Sequence, residues 1–372
     1  MNTRVPAEVF PPGEFLKEEL DARNWSQVEF AEIIGKDTRS VYEIVNGKRS
    51  ITPETAVIFA EALGTSAQLW MNLESQFQLS RIRPSSDAIS RKAQLHGKFP
   101  IREMAKRGWI RATKDIDSLE KAVLGFFAVD SIEAAPQFVH SAKKTSYDEA
   151  SVQQLAWLFR CREIARTLLI EAFTPAKLRS SLERLRALTS APEEIRHVPR
   201  ILAECGVRLV FVETLPGSRI DGACFWLDSK RPVVAMSLRH DRIDNFWFVL
   251  RHELEHVLEG HGKGDFCIDH DMDSREAGAL SIEEEVANAA AAEFCVPKKQ
   301  MDDFVARVSP FFSDQKVTLF ARRIAVHPGL VVGQLQRRLN RYDLFKKHLV
   351  KIRSIAVSTG ATDGWGLQYP LD

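Results

Sequence analysis

Cysteine is scarce in this chain, five in 372 residues, and Cys161, Cys205, Cys224, Cys267 and Cys295 stand far apart with no Cys-x-x-Cys pair. That excludes a disulfide framework and a thiolate metal knuckle, and it points to a reducing compartment, the cytoplasm. Long apolar runs are missing too: the longest, Ala122 to Val129, falls far short of the roughly 20 residues a spanning helix needs. The start, Met-Asn-Thr-Arg-Val-Pro, has no hydrophobic secretion core, so neither export nor membrane association is expected. Neither sign of charge is in excess. With 51 Lys and Arg against 50 Asp and Glu, the formal net charge is +1, so any nucleic-acid binding must come from a local cluster. What is present is an ordinary globular composition, 45% hydrophobic and 27% charged, over a length that predicts about two to three domains.

The first 80 residues read as short helices: Glu14 to Arg23, Ser26 to Ile34, Thr38 to Asn46, Thr52 to Leu63 and Ser66 to Leu79. Ser26, Asp37, Thr52 and Ser66 stand where N-caps belong, and Gly35, Gly47 and Gly64 follow helix ends, where positive φ is wanted. Ser26 to Gly35 followed by Asp37 to Arg49 has the helix, turn and second helix of a helix-turn-helix unit. Val28, Ala31, Ile33, Val41 and Ile44 would form its small core. The second helix would enter a major groove with Thr38, Arg39, Ser40, Tyr42 and Glu43 at the DNA, Lys48 and Arg49 on phosphates, and Gln27 capping a helix start against the backbone.

Arg81 to Asp87 is a polar, Pro-containing linker, and from there to about Gly206 the pattern stays helical, with no chemistry visible. After Gly206 the period changes from 3.6 to 2. Val207 to Glu213, Ala223 to Leu227 and Pro232 to Leu238 predict a small antiparallel sheet. A long helix from about Arg242 to Leu258 follows, then a polar loop, then a helix over Ile282 to Phe294 stopped by Pro297.

Within the first of these helices stands His252-Glu253-Leu254-Glu255-His256. Positions i and i+4 lie about 6 Å apart on one face, so both imidazoles can reach one Zn²⁺. Glu253 falls beside the first ligand, where it can take a proton from water and pass it to a leaving amine. The apolar Val249, Leu250, Leu254, Val257 and Leu258 bury this helix, and buried histidines need partners. A catalytic zinc needs a third ligand. The pattern that adds Gly and His at 259 and 262 fails, because the sequence has Glu259 and Gly262. His261 reads as a solvated loop histidine, His240 as a polar loop histidine, and His270 lies far into the loop. The better candidate is Glu284 on the second helix, whose face also carries Ala287, Asn288 and Ala291. The alanines allow close helix approach, and Asn288 could supply an orienting hydrogen bond to a ligand.

Arg251-His-Glu-Leu-Glu-His256, followed by Glu284-Glu-Val-Ala-Asn-Ala-Ala-Ala-Ala-Glu-Phe-Cys-Val-Pro297, resembles the ImmA/IrrE family of zinc metallopeptidases over about residues 195 to 340. The resemblance implies His252, His256 and Glu284 as zinc ligands and Glu253 as general base. Glu255 replaces the family's common glycine and Ala290 its usual phenylalanine. Phe10 to about Arg81 resembles the Cro/repressor-type helix-turn-helix, specifically the HigA-like antitoxins, through Pro-Gly-Glu-Phe-Leu, Asn-Gly-Lys-Arg-Ser-Ile-Thr-Pro-Glu-Thr-Ala and Leu-Gly-Thr-Ser-Ala-Gln-Leu-Trp-Met-Asn-Leu. That resemblance implies operator DNA as partner and a homodimer.

The expected fold is mainly α with a small antiparallel β-sheet, α+β in class. Its expected parts are a helix-turn-helix domain at 1–80, a helical middle domain at 81–194 and a metallopeptidase core at 195–300. C-terminal helices at 301–357 and a flexible tail at 358–372 would complete it. The expected function is a cytoplasmic DNA-binding regulator, antitoxin-like, with a zinc endopeptidase domain acting on a repressor or toxin in a stress or toxin-antitoxin response. The alternative is a non-catalytic antitoxin and autorepressor whose metal domain is a sensor or toxin-binding platform.

Overall fold

The computed structural model describes residues 9–82, 87–134, 150–263 and 281–370, and the backbone alone at 267–270. The chain divides into two units, Met1–Ile89 and Ser90–Asp372. The first holds α1 (Pro12–Ala22), which opens on a proline, and α2 (Gln27–Ile33), α3 (Thr38–Val45), α4 (Pro53–Leu63) and α5 (Ala67–Arg81), whose starts are set by local capping. Ser26, Asp37, Thr52 and Ser66 each accept the backbone N–H three residues on, which satisfies a donor the helix leaves open. Gly35, Gly47 and Gly64 take positive φ as expected. Leu16, Leu20, Phe30, Ala31, Val41, Ile44, Phe59 and Trp70 make the core. Val28 and Ile33, expected inside, are 52% and 51% exposed. Helix α2 is only seven residues long and has one buried face; Phe30 takes it by packing on Phe59, and Val28 and Ile33 turn outward.

The second unit contains, in chain order, α6 (Ala88–Lys98), α7 (Ile101–Lys106), α8 (Ile116–Phe127), α9 (Val152–Thr167), α10 (Pro175–Ala187) and α11 (Val198–Glu204). Strands β1 (Arg208–Val212), β2 (Ile220–Trp226) and β3 (Pro232–Met236) follow, then α12 (Ile243–Glu259), β4 (Cys267–His270) and α13 (Ile282–Cys295). Helices α14 (Lys298–Val308), α15 (Asp314–Arg323), α16 (Pro328–Leu339) and α17 (Arg353–Val357) lead to β5 (Ala361–Asp363). The fold is mainly helical with one small sheet, as expected, but the sheet is mixed: the order is β4-β2-β3-β1-β5, and β1 runs parallel to both β3 and β5. Only β2 is antiparallel to its neighbours.

Both faces of the sheet are covered at β1, β2 and β3, which are buried throughout. Leu209, Phe211, Cys224, Val234 and Met236 face the core shared with α12. Val210, Val212, Phe225, Val233 and Ala235 face the other way, onto α8 and α9. The middle domain expected at 81–194 is not set apart, since from Ser90 onward it belongs to the same unit as the sheet. Helix α9 lies on the sheet, where the indole of Trp157 donates to the Val212 carbonyl at 2.8 Å.

Residues 358–370 are likewise no flexible tail. Strand β5 extends the sheet at its edge, and Asp363, 1% exposed, accepts from Trp109 Nε1 at 2.8 Å and from Arg160 Nη2 at 2.5 Å. A buried carboxylate needs such partners, and here they come from α9 and from the segment after α7. Among the described residues, no helix is long and apolar enough to cross a membrane.

Candidate metal centre and nucleic-acid interface

Helix α12 is buried on nearly every side, between the sheet and α13 and α16. Its polar residues therefore lie inside the protein: His252 and Glu253 are 0% exposed and His256 1%. Glycine at 222 on β2 is what admits the Glu253 carboxylate, because a Cβ there would stand 2.4 Å from Oε1 and 2.7 Å from Val249 Cγ1. Helix α13 begins at Ser281, whose hydroxyl caps the Glu284 N–H at 3.3 Å. Buried Ala287 and Ala291 let α13 lie close against α12 and bring the Glu284 carboxylate to the two imidazoles.

Three side chains predicted as ligands meet at one point. His252 Nε2 and His256 Nε2 are 3.0 Å apart, and the carboxylate oxygens of Glu284 lie 3.2 Å and 3.4 Å from them. Burial pushes the His256 imidazole well below its ordinary range, with His252 beside it acting in the same direction, so the ring is neutral at pH 7. Two imidazoles turning Nε2 toward each other and toward a carboxylate that is 28% exposed form a donor set able to hold a cation between them. This donor set, two nitrogens and an oxygen, suits zinc and other divalent ions.

The neighbours of the cluster separate into those that touch it and those that do not. His261 is not a solvated loop residue: its Nδ1 lies 3.0 Å from Nδ1 of His256. The reversal of the chain after α12 brings it there, a feature that linear spacing does not display. Asn288 lies on α13 with its Oδ1 buried and lacking a hydrogen-bond partner among the described residues. Glu255 pairs with Arg251 at 2.7 Å along α12. His240 stands 4.0 Å from Asp221, which accepts from Nε and Nη2 of Arg239, and is no part of the cluster. The side chain of His270 lies outside the described residues.

Along the groove between α12 and α13, roofed by α14 and α16, opens a cavity of about 790 Å³ whose wall includes Phe248, Ala289, Ala292, Met301 and Arg337. Phe248 connects it with the cluster: its ring packs on His252 at 6.5 Å between centroids, and the Arg337 guanidinium lies over it at 5.4 Å. Nothing in the sequence pattern signalled this space, which forms from α13 and α16 meeting across α12.

In the first unit, α2 and α3 stand in the predicted arrangement. Thr38, Arg39, Tyr42, Lys48 and Arg49 are exposed, and Ser40 and Glu43 are partly so. Glu43 lies between two of the cations, 3.0 Å from Arg39 and 3.8 Å from Arg49, and Arg49 also donates to the Ser40 hydroxyl at 2.8 Å. Ser40 in turn is bound through its N–H and hydroxyl by Asp37, whose carboxyl is held below its usual range by those bonds. Gln27 does not cap: it is the first residue of α2, and Ser26 is the cap, in a reciprocal pair with Glu29.

Two family models match the chain, a helix-turn-helix over residues 16–70 and an IrrE N-terminal-like domain over residues 205–340. The HTH-type transcriptional regulator YddM of Escherichia coli (strain K12) is 32% identical over 84 residues, 23% of this chain and 88% of that protein. Among solved structures, the Pseudomonas aeruginosa antitoxin HigA with the higBA promoter is 30% identical, covering 25% of this chain and 98% of that one with a TM-score of 0.20. A HigA-family addiction module antidote protein from Coxiella burnetii is 29% identical over 24% of this chain and 92% of that one, with a TM-score of 0.19.

Proposed function

The chain belongs to the helix-turn-helix family of transcriptional regulators and carries an IrrE-like peptidase domain, and from that premise we propose that it is an operator-binding regulator with a working metallopeptidase site. The first unit binds operator DNA as a homodimer, with α3 in the major groove and Thr38, Arg39 and Tyr42 toward base edges. Lys48 and Arg49 neutralise phosphates, while Glu43 limits that neutralisation by occupying Arg39 and Arg49, so the salt dependence of binding is shallow.

The second unit hydrolyses peptide bonds, with a repressor or a toxin as substrate. The observation that carries this reading is the convergence of His252, His256 and Glu284, whose ligand atoms lie within 4.8 Å of one another beside a fully buried Glu253. These three would hold a divalent cation, zinc first, and when bound it supplies Lewis acidity toward water and the peptide carbonyl. Glu253 accepts the proton of the attacking water and delivers it to the leaving amine. Its burial under β2 shields it from bulk water. The cavity beside Phe248 offers room for substrate residues flanking the cleaved bond.

Glu253→Gln tests the reading. Purified with its metal, the variant is expected to lose cleavage of the cognate repressor or toxin while keeping the wild-type metal content. Equal processing by wild type and variant would leave a regulator whose metal domain senses or docks without cutting.

A further inference from the structure

The turn that closes α12 is built with more constraint than a helix end needs. Gly260 takes the left-handed conformation at φ 74°, and Gly262 repeats it at φ 76°. Between them His261 is held through its backbone at both ends: its N–H donates to the His256 carbonyl at 2.9 Å, and its carbonyl accepts the indole N–H of Trp226 at 2.7 Å. Gly262 lies so close to β2 that a Cβ would stand 2.9 Å from the Cys224 carbonyl oxygen and 3.2 Å from Phe225 Cα. Lys263 closes the turn over the Trp226 ring, its Nζ 4.6 Å from the centroid. The clamp contributes no apolar side chain to the core. It presents one imidazole, and it presents it to Nδ1 of His256 at 3.0 Å.

A neutral imidazole has one N–H and one lone pair. If Nε2 of His256 points its lone pair at the cluster, Nδ1 carries the hydrogen and, in a ring 1% exposed, needs an acceptor. His261 Nδ1 supplies that acceptor, which puts the hydrogen of His261 on its own Nε2, 3.7 Å from the Glu283 carboxylate. The order Glu283, His261, His256 then runs from solvent to the cluster. It is the arrangement in which a ligand's outer nitrogen is held so that its inner nitrogen has a single tautomer and direction.

We propose that His261 is a positioning residue of the metal centre, accepting the Nδ1–H of His256 and committing Nε2 of His256 to the cation. This rests on the metal-binding reading above. It assigns to the turn after α12 a role in metal affinity that operates whether or not a substrate is ever cleaved.

The test uses the full chain, stripped of metal with a chelator and titrated with Zn²⁺ against a competing chromophoric chelator. His261→Leu keeps approximate size but offers no acceptor, whereas His261→Asn keeps an acceptor near the same place. Leucine is expected to weaken Zn²⁺ binding about 10- to 100-fold. Asparagine is expected to recover most of that loss, and the Co²⁺-loaded leucine variant to show a shifted visible spectrum. A space-filling role predicts the opposite order, with leucine tolerated at least as well as asparagine. That order, or leucine binding within about twofold of wild type, would overturn the proposal. Wild-type protein that binds no Zn²⁺ at all would overturn both this assignment and the metal-centre reading, whereas tight wild-type binding unaffected by leucine would remove this one alone.

Discussion

The two units reach their structures by different routes. In the first, the starts of α2 to α5 are each fixed by a side chain three positions from the N–H it accepts, and the surface proposed for DNA comes from one stretch, Gln27 to Arg49. In the second, the cluster needs Glu284 to return to a helix 28 residues earlier in the chain, and the sheet beneath it takes its edge strand from residues 361–363. A local code and a long-range one thus stand side by side in a single chain. Short-range chemistry sets where elements begin, whereas the His252, His256 and Glu284 cluster depends on which distant elements come to share a core.

The contrast is sharpest where the long-range part can be cut at one point. Asp363→Ala removes one partner of the buried pair with Arg160 and leaves a guanidinium that is 3% exposed with only the more distant Glu163 carboxylate, at 3.5 Å. A loss of about 3–5 kcal/mol is expected. Hydrogen exchange should show protection falling across α9, β1 and β5 with α1–α5 unchanged; an effect spread equally over both units would erase the distinction. Next in size is the local counterpart. Asp37→Ala takes away the α3 cap and should cost the first unit about 1 kcal/mol, weakening operator binding without altering metal content. Loss of metal in that variant would show the units to be interdependent.

The smallest effect is a change in pH dependence. His327 caps α16 by accepting the Gly329 N–H on Nδ1 at 3.0 Å, and burial, aided by His348, lowers its pKa from 6.5. The unfolded chain then takes up a proton at a pH where the folded one does not, so this residue's contribution is present above 6.5 and is lost as pH falls below it. His327→Asn keeps a capping oxygen and does not titrate, so the decline in stability from neutral to mildly acidic pH should be less steep than in wild type. An unchanged slope would place the sensitivity elsewhere.

How much of this was legible follows from the same division. The starts of α2 to α5 could be read nearly to the residue because Ser26, Asp37, Thr52 and Ser66 act on their own neighbours, whereas α1, which has no side-chain cap, begins at Pro12 and not at Glu14. The pairing of His252 with His256 was legible because helical spacing is local, and Glu284 because one face of α13 is marked by alanines. The parallel pairing of β1 with β3 and β5 was not, since alternation along a strand carries no record of its partner's direction. Arg160 and Asp363 lie 203 positions apart, and neither carries a mark of the other. The burial of Phe30 in place of Val28 and Ile33 turned on Phe59, two helices away. His261 was missed for a related reason: a histidine after a glycine looks like loop until the turn's left-handed backbone folds it under α12.

The most direct measurement is the metal content and affinity of the purified full chain beside His256→Ala and Glu284→Ala. The account predicts one tightly held divalent cation per wild-type chain and none retained through dialysis by either variant, with helical content unchanged in all three. Wild-type protein that is folded yet holds no cation, or a Glu284→Ala variant that binds as tightly as wild type, would contradict it.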